Sequence, residues 1–308
     1  MCQSQAAVAS AASLNCHFQS ASTSMSTSPT CQNLSTKYGA EILTSRRGSL
    51  VSSAMLDAVD LIAEVWRRAI AVQPPPAPIL VVLAAATAGA LVLPRVAWQY
   101  TRMLITITHE GAHGVAALVT GRRLQGIRLH SDTSGLTVSS GRPNGPGMVV
   151  MLMAGYLGPA VLGFLAVGLL IAGHSLGLLW LFVILLASLL LQIRNFYGFV
   201  VVVACAVVLI LVTWYLPAPI QSLLAYVLTW TFLLAAPKPV VELIRQRRQA
   251  RTPHSDADQL ARLTRVPASA WGAGFLIVNC AGLVLGAVLL LPALAELGQT
   301  VAGQLAAA

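Results

Sequence analysis

The stretch LITITHEGAHGVAALVTG, residues 104–121, places two histidines and a glutamate inside an otherwise apolar run. Ionisable side chains in a segment hydrophobic enough to enter a bilayer are costly, and they mark a functional site whose partners offset that cost. Whether a bilayer is the right solvent is decided by the rest of the chain. Of 308 residues, 56% are hydrophobic and 9% are charged, with a mean hydropathy of +0.76, whereas a soluble domain carries about a quarter charged residues. This is the composition of a polytopic membrane protein. The net charge of +9 falls in short clusters between apolar runs, so it reads as membrane topology and excludes nucleic acid as the partner. Cys2, Cys16 and Cys31 lie in a polar start and Cys205 and Cys280 stand alone in apolar segments. That pattern gives neither a disulfide framework nor a thiolate zinc site.

Residues 1–54 are rich in Ser and Thr, poor in acidic residues and without the apolar core of a secretory signal, so they are expected to be disordered. Residues 55–78 combine an amphipathic segment, MLDAVDLIAEVWRRAI (55–70), with the PPPAP stretch that ends it. The segment suits a helix lying on the membrane surface. Residues 79–308 form the membrane-embedded domain, with apolar runs at 79–97, 99–120, 147–172, 175–193, 197–216, 219–236 and 270–292. The expected fold is therefore all-α and polytopic, with about seven transmembrane helices. A cytoplasmic N-terminus puts Arg67, Arg68, the 121–146 loop, Arg194 and the basic 237–269 loop on the inner side, with only Arg95 and Arg102 against the rule. Inside the 121–146 loop, GIRLHSDTSGLTVSS (126–140) has two alternating segments around a Ser-Asp-Thr-Ser-Gly turn and predicts a short β-hairpin after the motif helix.

His109, Glu110 and His113 form HExxH. Histidines four residues apart share one helix face, one turn above each other. Two imidazoles so placed bind one Zn²⁺, while the adjacent glutamate reaches a metal-activated water rather than the metal. The same residues would also serve metal or proton transport or sensing without hydrolysis.

The sequence around the motif resembles the site-2 protease class of intramembrane metallopeptidases, in its M50B-like bacterial group. The likeness rests on HEGAH (109–113), TGRRLQGIRLHSDTSGLT (120–137), AGYLGPAVLG (154–163), RNFYG (194–198) and SDADQLARLTRVPASAW (255–271), and covers about residues 100–290. The resemblance implies zinc, a catalytic glutamate, cleavage of membrane-anchored protein substrates in or next to their transmembrane segments, and residence in the bacterial inner membrane. It also implies that the hairpin guides an unwound substrate by adding it as a strand. Better-known members supply a third ligand from an NxxPxxxxDG segment, which this chain lacks; Asn195 with Gly198 is its remnant. A relative that holds partners without cleaving them would keep the same motif.

A catalytic zinc takes three protein ligands and leaves one position open. After His113 the candidates are His130, Asp132, His174, Glu242, His254, Asp256, Asp258 and Glu296. His174 and Glu296 fall on the opposite side in the topology above. His130 and Asp132 belong to the hairpin turn, and Glu242 is expected to pair with Arg245 or Arg248. In HSDAD (254–258), Ser255 and Asp258 also read as a helix N-cap, with Asp258 paired to Arg262. Asp258 thus has another task, so Asp256 is the preferred ligand and Asp258 the second choice. The sequence expectation is a zinc metallopeptidase with His109, His113 and Asp256 on the metal and Glu110 as general base.

Overall fold

The computed structural model describes residues 55–74, 76–249 and 255–290; the Ser-rich start, His254 and Glu296 lie outside them. Leu93-Pro94 decides the architecture. Proline cannot donate to a helix and biases the preceding residue away from helical backbone, so the first long apolar run breaks there. Helix α2 (Pro78–Val92) ends, and α3 (Arg95–Val119) restarts at 99° to it. α1 is the helix at 55–70. After α3 come β1 (Arg123–Leu129), β2 (Gly135–Ser140), α4 (Pro146–Ile171), α5 (Ser175–Leu190), α6 (Phe196–Tyr215) and α7 (Ala218–Ala235). α8 (Pro237–Arg248), α9 (Asp256–Thr264) and α10 (Ala268–Leu290) complete the chain. The chain divides into two units at Arg67/Arg68; in the first, residues 55–67 are helical and Arg67 pairs with Glu64.

The second unit is helical apart from the hairpin. Four stretches, α4, α6, α7 continued by α8, and α10, are long and apolar enough to cross a membrane, or five if the bent α2–α3 pair is one span. α5 is apolar but only 16 residues long. Among the described residues four to five candidate spans therefore stand where the apolar runs gave seven: the first two runs are one bent pair, since hydropathy is blind to the change of direction at Pro94, and α5 is short.

The bend also sets which elements meet at each end of the unit. Gln73 donates its N–H to the Gly173 carbonyl at 2.8 Å, and its side chain is hydrogen-bonded to Ser175 and Ser222. The start of α2, the α4–α5 turn and the start of α7 thus share one end of the unit. At the other end of α2, Lys238 donates to the Val92 carbonyl and stacks 4.3 Å over Trp98, while Arg102 pairs with Glu242 at 3.3 Å. Arg95 and Arg102, the two exceptions in the charge pattern, lie in the half that carries the basic residues of α8. Gln73 thus lies beside the Gly173-His174 turn, at the end of the unit away from Lys238 and Glu242.

Two main apolar cores hold these elements, beside a small cluster of Ala116, Ala117 and Met151 between α3 and α4. The larger is shared by α2 to α7 and β1, with Val92, Ile105, Ile127, Leu178, Val202 and Phe232 buried in it. The smaller joins α4, α8, α9 and α10 through Leu152, Val240, Leu243, Leu260 and Phe275. It matters for function because it docks α9, a nine-residue helix on its own too short to be stable in water.

Candidate metal centre

α3 buries the face that includes Ile105, Glu110, His113 and Ala117, the 3.6-residue period of the motif run. It packs against α4, where Gly155 lies under the histidines: a Cβ there would stand 2.4 Å from His113 Nε2 and 2.6 Å from His109 Cε1. Only glycine leaves room for both rings. His113 Nδ1 lies 2.7 Å from the Met151 carbonyl. A carbonyl only accepts, so Nδ1 carries the proton and the Nε2 lone pair faces the site, the tautomer a metal ligand requires. Tyr156, one residue past Gly155, meets the His109 ring edge-on at 4.9 Å and stacks on Phe275 of α10 at 5.4 Å. Asn279 anchors that corner by donating to the Tyr156 and Ala236 carbonyls, each at 3.1 Å.

Asp256 arrives on the first turn of α9. Its Oδ2 stands 3.3 Å from His109 Nε2 and 3.3 Å from His113 Nε2, and the two nitrogens are 3.1 Å apart. This is the one His/Cys/Asp/Glu cluster able to hold a metal among the described residues. Burial by itself would raise the Asp256 carboxyl, but the two imidazoles beside it hold it well below the usual carboxylate range, so it is an anion. Asp258 is occupied otherwise: its backbone N–H donates to Ser255 Oγ at 3.3 Å, its Oδ2 accepts from Ser255 Oγ at 2.6 Å, and it is paired to Arg247. That is a capping box, with Arg247 of α8 in place of the expected Arg262. Glu242 likewise departs from expectation, accepting from Trp98 Nε1 at 2.7 Å and pairing with Arg102 rather than Arg245 or Arg248.

The donor set suits zinc. Ligands about 2.0–2.2 Å from a tetrahedral zinc are about 3.3–3.5 Å from one another, and the three observed separations of 3.1, 3.3 and 3.3 Å are close to that triangle.

The hairpin closes the other side of the motif. β1 pairs antiparallel with β2 and, through Ile127, with the chain at Ile193. Asn195 Nδ2 donates to the Leu129 carbonyl at 2.6 Å while its Oδ1 accepts from Leu129 N–H at 3.2 Å, so Asn195 is a clamp on β1. Asp132 stabilises the turn by accepting from Ser134 N–H at 2.9 Å, and His130 sits 3.3 Å from Ser134 Oγ. Neither approaches the metal cluster, and His174 lies at the opposite end of the unit. Reasoning from sequence missed the Met151 carbonyl, Tyr156, Gly135 and Thr137. For the last two a signal existed: strand alternation puts Gly135, Thr137 and Ser139 on one face of GLTVSS.

Comparison with curated proteins and with solved structures gave no match. The profile of the Peptidase M50B-like family matches residues 82–286, about two thirds of the chain and including the HExxH helix, the hairpin, Gly155 and Asp256. With its apolar helices, that match makes the chain an integral membrane protein, and it belongs to the Peptidase M50B-like family.

Proposed function

We propose that the protein is an intramembrane zinc metallopeptidase that hydrolyses peptide bonds in or near the transmembrane segments of membrane-anchored proteins. The observation that carries this reading is the triangle of His109 Nε2, His113 Nε2 and Asp256 Oδ2 with edges of 3.1–3.3 Å, beside a buried glutamate. His109, His113 and Asp256 hold the ion. When bound, zinc supplies Lewis acidity that lowers the pKa of water and polarises a carbonyl. Glu110 takes the proton of the attacking water and delivers it to the leaving amine. The small core keeps Asp256 in reach, and the hairpin offers the outer edge of β2 to an extended substrate.

The site lies in the half that carries Arg122, Arg142, Arg247 and Arg265. Lys and Arg concentrate on the cytoplasmic side, so water and the unwound substrate reach the site from the cytoplasm, in the inner membrane of a bacterium. The Gln73 end of the unit then faces the opposite side.

Metal analysis and a cleavage assay on a single-span test substrate decide the matter. The wild type is expected to hold about one zinc per chain. Glu110→Gln is expected to keep the metal while cleavage falls by about 10²- to 10⁴-fold, and Asp256→Asn to lose the metal. A wild type without zinc, or a Glu110→Gln variant that cleaves at the wild-type rate, ends this reading.

A further inference from the structure

Glu110 is only 5% exposed, and what covers it is the inner face of β2. Thr137 Oγ1 is 2.6 Å from Glu110 Oε2 and 3.1 Å from the Glu110 backbone carbonyl. A carboxylate and a carbonyl only accept, so the hydroxyl is the donor to both, and 2.6 Å is the length of a charge-assisted bond from a hydroxyl to a carboxylate. Glu110 Oε1 is held by no hydrogen bond among the described residues. Gly135, two residues earlier on the same face, lets the strand lie against this side chain: a Cβ there would stand 2.4 Å from Glu110 Cγ and 2.7 Å from Oε1. The turn is tied to the same helix one turn earlier, where Thr106 Oγ1 donates to the Thr133 carbonyl at 2.8 Å.

A glutamate has three side-chain torsions, and a general base whose carboxylate wanders loses the alignment that proton transfer needs. We propose that Thr137 is the positioning residue of Glu110: by holding Oε2 it fixes the carboxylate plane and leaves Oε1 as the oxygen that accepts the proton of water. The hairpin then carries a second task besides receiving substrate, that of orienting the base. Gly135 is the space through which Thr137 reaches it. This inference rests on the peptidase reading, because it gives Glu110 a proton to take.

Thr137→Val keeps the shape and removes the donor, whereas Thr137→Ser keeps the donor and removes a methyl. In both variants zinc content is expected to match the wild type, since Thr137 touches none of the three metal-cluster residues. Thr137→Val is expected to lower kcat by roughly 10- to 100-fold, the usual effect of losing an outer-shell partner, with KM within about 3-fold, and Thr137→Ser to restore kcat to within about 3-fold of the wild type. A second readout needs no turnover. A peptide hydroxamate chelates the zinc and hydrogen-bonds to the base carboxylate, so its affinity is expected to fall at least 10-fold in Thr137→Val and to recover in Thr137→Ser. The inference is overturned if Thr137→Val equals the wild type in hydroxamate affinity, or if Thr137→Ser is as impaired as Thr137→Val. A wild type that binds zinc and hydroxamate but cleaves nothing would instead sink the peptidase reading.

Discussion

Gly155 shapes the site by what it lacks. With a Cβ 2.4 Å from His113 Nε2, either an imidazole or α4 must shift, and the cluster has little slack at separations of 3.1–3.3 Å. Gly155→Ala is expected to lower zinc content several-fold while helical content by circular dichroism is unchanged; full zinc occupancy in that variant would show that the rings have room the structure denies them. The HExxH spacing was legible because it is local in sequence, and the meeting of Asp256 with it because the neighbouring Asp258 had a capping role of its own. Gly155 reads in sequence as a helix-packing glycine, which is true of its backbone and silent on the rings above it. The Met151 carbonyl and Thr137 touch the motif only after α4 and the hairpin are laid on α3, and no spacing in the chain encodes that alignment.

α9 owes its position to side chains on other elements. Leu260 is fully buried among Leu152, Val240, Leu243 and Phe275, and Leu260→Ala is expected to weaken that docking by about 2–5 kcal/mol. The checkable outcome is faster zinc loss to a chelator, with hydrogen exchange in β1 and β2 unaltered, since the larger core and the Asn195 clamp hold the hairpin. Unchanged zinc release would show that Asp256 is held by the metal cluster alone. The capping box at Ser255 was legible because it spans three residues. The partners of Asp258 and Glu242 were not: reading along one helix favours Arg262 and Arg245, while folding brings Arg247, Arg102 and Trp98. Local pairing on a helix is worth only a few tenths of a kcal/mol, so tertiary proximity readily overrides it.

For the whole unit, the 99° turn at Leu93-Pro94 predicts that positions 72 and 142 lie on opposite sides of the membrane. Arg95 and Arg102, the two exceptions to a linear topology, fit this arrangement. Single cysteines on a cysteine-free background test this: Val72→Cys and Ala172→Cys are expected to react with an impermeant maleimide from one side of oriented vesicles and Arg142→Cys from the other. Labelling of positions 72 and 142 from the same side would restore the linear topology. The small core has a further consequence, set by thermodynamic reciprocity. If docking α9 strengthens the hold on the ion through Asp256, then the ion strengthens the docking of α9 by the same free energy. Metal removal would therefore act as a mechanical release as well as a chemical one, freeing α9 while the rest of the bundle stays in place.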